Sequence, residues 1–186
     1  MKANQIVLCA LFAALMAVGA NVSPFLTVGG VPVTLQLLFA IMAGGLLGSH
    51  LGAWSMIAYM FIGLAGAPVF AQFKGGPASL LSPTFGFVIS FIFVAYAVGK
   101  CLEHNRQKKN YIFAGLLTLV LNYGIGTNFM YAAFQWWVEA PEGFSYTMAW
   151  MWMAAYLPLD TIVIISSLAT LPKLLNALKQ RKIRTV

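Results

Sequence analysis

Six long apolar runs, at about residues 5–20, 33–48, 52–67, 84–101, 111–134 and 148–171, hold only two charged side chains between them, Lys100 and Asp160. Runs of that kind cannot form the shell of a water-soluble globule. A helix needs about 20 predominantly apolar residues to cross the hydrocarbon core, so 186 residues accommodate six crossings and little else. The third run is somewhat short for a crossing. Composition agrees: 61% of residues are hydrophobic and 8% charged, against the roughly 25% charged of soluble domains. The sequence therefore predicts an all-α integral membrane protein, one domain over residues 1–186, with six transmembrane helices. Ala17-Val18-Gly19-Ala20 has the small residues of a signal cleavage site. Everything downstream is equally membrane-like, so the first run is read as a span.

Charge placement sets the expected orientation. With the N-terminus inside, the inner segments collect Lys2, Lys100, Arg106, Lys108, Lys109, Lys173, Lys179, Arg181, Lys182 and Arg184, leaving only Lys74 outside. That is a positive-inside pattern and predicts an N-in, C-in topology. Trp136, Trp137, Trp150 and Trp152 flank the outer loop that carries Glu139 and Glu142, where an interfacial aromatic belt belongs. The net charge of +7 is thus a topology signal with some attraction to anionic membrane lipid, and nucleic acid is not an expected partner.

Two outer segments are too apolar for solvated connectors and too rich in Pro and Gly for helices. They are residues 21–36, NVSPFLTVGGVPVTLQ, and 67–83, APVFAQFKGGPASLLSP. Irregular backbone at membrane depth is tolerated only when it is buried in protein or lines a cavity. The reading favoured is a pair of lids over an outward-facing pocket; packed connecting loops are the alternative.

Asp160 is the only acid within a run, and a carboxylate there costs about 2.5–3.5 kcal/mol on insertion scales. A donor from the protein or from a ligand must compensate it. Pro158 frees the carbonyl of Ala154 from a helical ladder, and on a continuous helix Trp152, Tyr156 and Asp160 would share one face. Lys74, the lone outer cation, precedes Gly75-Gly76, whose N–H groups can converge on an anion. Together the two charges suggest a ligand with an anionic end near the mouth and hydrogen-bond donors deeper down. In the first run Ala10/Ala14 and Ala13/Ala17 form small-xxx-small pairs, which suit a packed neighbour or a separate membrane subunit. Asn122, Thr127 and Asn128 are candidates for interhelical hydrogen bonds. His50 and His104 have no partners at ligand spacing, so no metal is expected. No nucleophile elbow, HExxH or P-loop motif is present, and the chain is not expected to be an enzyme.

These residues resemble a family. Val31-Pro32-Val33-Thr34-Leu35-Gln36 resembles a segment of BioY-type biotin S components, the substrate-binding subunits of energy-coupling-factor (ECF) transporters. Gly63-Leu64-Ala65-Gly66-Ala67-Pro68-Val69-Phe70 is similar to the family's Gly-rich end of the third span. Gly75-Gly76, Leu80, Pro83-Thr84 and Gly86-Phe87 are similar to its GG…L..PT.G(Y/F) motif, and Leu157-Pro158-Leu159-Asp160 to its LPGD signature. The chain departs from the pattern at Leu159 and Phe85, where glycine is usual, and at Val163, where a lysine often stands. Lys74 stands where a polar amide is common.

The resemblance implies a six-helix fold in the bacterial cell membrane that captures biotin at its outer face and hands it to an ATP-driven module. That module comprises a transmembrane coupling subunit and two ATPase subunits, and biotin is transported rather than held as a cofactor. It implies substrate-binding roles for Asp160, Lys74, Gly75, Gly76, Pro83, Thr84, Gln36, Thr34 and Tyr156. Ala10, Ala13, Ala14 and Ala17 would touch the coupling subunit. The alternative is a self-sufficient proton-coupled carrier for biotin or a related small carboxylate, with Asp160 titrating.

Overall fold

The computed structural model describes residues 2–25, 27–28, 31–32 and 35–184. It is a helical bundle whose helices follow the apolar runs. The first, α1 (Ala3–Val22), starts where the Lys2 backbone N–H donates to Gln5 Oε1 at 2.8 Å. A 3-10 turn at Ser23–Phe25 and a two-stranded antiparallel hairpin, β1 (Thr27–Val28) with β2 (Val31–Pro32), lead to α2 (Leu35–Leu47). One residue, Gly48, separates α2 from α3 (Ser49–Leu64). After an irregular segment come α4 (Phe85–Glu103) and the longest helix, α5 (Lys108–Trp136). The bundle ends with α6 (Tyr146–Ala154) and α7 (Leu157–Arg184).

Four of these helices, α1, α4, α5 and the Leu157–Leu178 stretch of α7, are long and apolar enough to cross a membrane. At 1.5 Å per residue the 13 residues of α2 reach only about 20 Å, short of the ~30 Å hydrocarbon core. The last apolar run is not one helix, contrary to the sequence expectation. Pro158 occupies the second position of α7, where its missing N–H costs nothing, whereas in a continuous helix it would leave the Ala154 carbonyl without its bond and crowd it with the ring. The chain therefore breaks at Ala155 and Tyr156, with a turn bond from Tyr156 N–H to the Met153 carbonyl at 3.1 Å. The break also undoes the expected stripe. Trp152 packs against Phe134 and Phe144, with ring centroids 6.2 and 5.3 Å away, instead of lining the same face as Tyr156 and Asp160.

The core centres on α4, which packs against α2, α3 and α5. These helices approach on glycine. A Cβ at Gly44 would stand 2.2 Å from the Ala95 carbonyl oxygen, and one at Gly99 would stand 2.3 Å from the Ser49 nitrogen. Small residues let helix backbones approach this closely where no water drives association. Gly48 turns the chain with φ +89°, a conformation other L residues rarely adopt. The turn leaves α3 without a side-chain cap of its own, and Glu103 supplies one from the end of α4. Its Oε1 accepts from Ser49 N–H at 2.6 Å and from Ser49 Oγ at 2.7 Å. A carboxylate on a helix N-terminus meets both unpaired N–H groups and the positive end of the dipole.

This clasp yields a prediction for stability. Glu103→Ala should destabilise the purified protein by about 1 kcal/mol, as loss of a helix cap does, and Glu103→Gln by less. Thermal unfolding in detergent reads the effect, and an unchanged midpoint for Glu103→Ala would remove the capping role.

Candidate functional site

Between the ends of α1, α3 and α6 and the first turns of α2, α4 and α7 lies a cavity of about 1120 Å³. The break before Pro158 defines its floor. By starting a new helix there, the chain places Asp160 in the first turn of α7, where the helix dipole favours negative charge. Asp160 is only 7% exposed, and its Oδ2 accepts a hydrogen bond from Tyr123 Oη of α5 at 2.8 Å. Among the described residues no donor reaches Oδ1. Beside it, Asn122 Oδ1 accepts from Ser90 Oγ at 2.8 Å, so the neighbouring wall is polar and ordered. Phe85, Phe87, Phe91 and Tyr156 make the rest of the interior aromatic.

A second polar chain holds the opposite wall. Gln36 Nε2 donates to Tyr59 Oη at 3.1 Å, and Tyr59 Oη donates to the Val69 carbonyl at 3.1 Å. Tyr59 is fully buried, and its ring meets Phe70 edge-on at 5.5 Å. Phe70 fits there because residue 63 is glycine: a Cβ at Gly63 would lie 2.2 Å from the Phe70 ring.

The segment from Phe70 to Thr84 roofs the cavity. Phe70 N–H bonds the Lys74 carbonyl at 2.9 Å, which closes a tight loop with Gln72 and Phe73 at φ 61° and 56°. Left-handed backbone at two successive non-glycine residues persists only where surrounding structure holds it. Asn21, near the end of α1, does so. Its Oδ1 accepts from Phe73 N–H at 2.7 Å, while its Nδ2 donates to the Ala17 carbonyl at 2.9 Å and the Val69 carbonyl at 3.5 Å. The other end of the roof is a 3-10 turn, Pro77–Leu81, held by Trp137 Nε1 donating to the Leu81 carbonyl at 2.8 Å. Lys74 stands exposed in the roof, lines the cavity and has no carboxylate partner among the described residues.

The sequence-predicted residues thus divide. Asp160, Lys74, Gly75, Gln36, Thr84 and Tyr156 line this one cavity although they come from three separate stretches of chain. Gly76 and Pro83 support the roof without lining it; the Gly76 N–H donates to the Gly63 carbonyl at 2.7 Å. Thr34 lies outside the described residues. Ala10 and Ala14 lie on an exposed face of α1 with Val7, Leu11 and Val18, whereas Ala13 is buried in the bundle and Ala17 is half-buried. Thr127 is buried with no hydrogen-bond partner for its hydroxyl, Asn122 bonds across helices, and Asn128 accepts from Tyr146 Oη at 3.1 Å. Sequence reasoning passed over Tyr123, Tyr59 and Asn21. Asn21 could have been noticed as a polar residue closing an otherwise apolar helix. Nothing in the sequence marks Tyr123 and Tyr59 among seven tyrosines.

The arrangement has the chemistry of a binding site. It offers an unsatisfied anionic acceptor at depth, aromatic walls and a cation at the rim, in an enclosure of the kind that holds small molecules.

Comparison with known proteins gives the lineage. The family model described as "BioY family" matches residues 1–180. BioYB of Bacillus subtilis (strain 168) is 44% identical over 176 residues, covering 91% of this chain and 87% of its own. The biotin transporter BioY of Rhizobium etli is 31% identical over 173 residues, covering 87% and 88%. Among solved structures, the crystal structure of the S-component for biotin from an ECF-type ABC transporter superposes with a TM-score of 0.77. It covers 95% of both chains at 24% identity, a likeness of fold. The chain belongs to the BioY family.

Proposed function

We propose that this chain is the biotin-binding subunit of a vitamin uptake transporter and not an enzyme. The observation that carries the reading is the half-satisfied Asp160 carboxylate, whose Oδ1 has no donor among the described residues while it faces an aromatic cavity. Biotin has a ureido ring with two N–H donors at one end and a valerate carboxylate on a flexible apolar tail at the other. A ureido N–H donated to Asp160 Oδ1 makes a charge-assisted bond, about twice as strong as a neutral one. The phenylalanine walls and Tyr156 enclose the thiophane ring and tail, and Lys74 meets the valerate at the rim. Gln36, Thr84 and the Gly75 backbone supply the remaining polar contacts, with Gly76 and Pro83 shaping the roof; Thr34 is added on its place in the sequence alone.

Six crossings with both termini inside, in one domain over residues 1–186, place the roofed cavity at the outer face of a bacterial plasma membrane. In that arrangement α2 and α3 are short crossings and α6 with α7 makes the last. All the basic residues but Lys74 then lie on the cytoplasmic side, in keeping with the positive-inside rule. The exposed α1 face around Ala10 and Ala14 docks a transmembrane coupling subunit, itself driven by two ATPase subunits. The likeness of fold to an ECF S-component favours this reading over a self-sufficient proton-coupled carrier.

Equilibrium binding of labelled biotin to the purified protein tests the proposal, and absence of saturable binding would overturn it. Asp160→Ala should weaken binding more than tenfold, the loss that accompanies a hydrogen bond to a charged group. Tyr123→Phe should weaken it less and lower the unfolding midpoint, since it strips the carboxylate of its protein donor and leaves the ligand-facing oxygen in place. Ala14→Trp should leave biotin binding intact and abolish copurification with the coupling subunit; intact assembly would put the docking face elsewhere.

A further inference from the structure

A second concavity lies at the opposite end of the bundle from the roof. It is an apolar groove of about 800 Å³ between α5 and α7, which reaches Leu119 and Thr161 at its inner end and shares no lining residue with Asp160's cavity. Its floor forms where the two helices touch: a Cβ at Gly115 would lie 3.1 Å from Leu168 and 3.3 Å from Ile164. Its walls are Ile112, Leu116 and Ile165, all exposed. At one end the lining changes character, and Arg106, Lys108, Tyr111 and Asn176 close it without a single acid. The Arg106 Nε donates to the Leu102 carbonyl at 3.3 Å, which holds the guanidinium over this end with its other N–H groups free among the described residues.

We infer that this groove binds one anionic phospholipid, an acyl chain along the α5–α7 seam and the phosphate between Arg106 and Lys108. Charge and length both select that occupant. The groove runs from Lys108 to Leu119, about 16 Å along α5. One leaflet of hydrocarbon is about 15 Å deep. The basic end therefore falls at headgroup level and the Leu119 end near the midplane. Arginine and lysine at that level attract anionic headgroups, and the planar guanidinium bonds a phosphate through two N–H groups at once. A helix from another protein would cover the apolar walls but bring no phosphate to the two cations.

Native mass spectrometry of the full chain, extracted from vesicles of equal phosphatidylglycerol and phosphatidylcholine, tests this. The wild-type protein should retain phosphatidylglycerol over phosphatidylcholine by about tenfold or more. R106Q/K108Q should bring the two near parity. K100Q, which removes a cation outside the groove, should preserve the preference. Ile165→Trp fills the seam and should release both lipids; Ile165→Phe serves if the larger ring prevents folding, judged by the unfolding midpoint. An undiminished preference in R106Q/K108Q, an equal loss in K100Q or lipid retained by the filled variant would overturn the assignment. Dimerisation of the wild type but not of the filled variant would give the groove to a second copy instead.

Discussion

A carboxylate held inside an apolar bundle has to be compensated, and the local architecture around Asp160 is organised by that requirement. Burying a charge without partners is prohibitive. The chain answers with three devices: a helix N-terminus made by the break before Pro158, the Tyr123 hydroxyl, and a cavity wall left open on the remaining oxygen. The first two use up one face of the carboxylate. What is left is an acceptor of fixed position and high hydrogen-bonding strength, oriented toward the space a ligand would fill. The same deficit that destabilises the empty protein gives a donor-bearing molecule its advantage there.

The roof depends on an equally small number of bonds. Its strained loop is held by one asparagine from α1, and its distal turn by one indole N–H from the end of α5. Between them runs a relay of aromatic edges, Tyr59 to Phe70 to Phe85 to Phe129 to Trp137, with centroids 5.5 to 6.3 Å apart. Two separated helices thus secure one covering segment.

Much of this was legible from residue order because the membrane permits so few solutions. Five of the six apolar runs match helices to within three residues at either end, the last giving two helices of which α7 runs on to Arg184, and the isolated charges Asp160 and Lys74 both line the cavity. The punctuation by Pro and Gly between residues 67 and 83 likewise identified the roof. The misread lay at Pro158. Hydropathy integrates over a window and is blind to a two-residue break, so α6 and α7 were read as one continuous helix and Trp152 was carried onto the wrong face. Tyr123 and Asn21 were invisible for a different reason: their importance comes from partners 37 and 52 residues away. Only the folded chain brings such pairs together.

The glycine crossings among α2, α3 and α4 have a mechanical corollary. Where backbone rests on backbone, with Gly44 on Ala95 and Gly99 on Ser49, no side chain intervenes to rotate and let one rod slide past another. Those three helices are expected to behave as a keel. Whatever admits and discharges cargo must bend the flanking pieces around it, so loading is a motion of the rim and not of the hull.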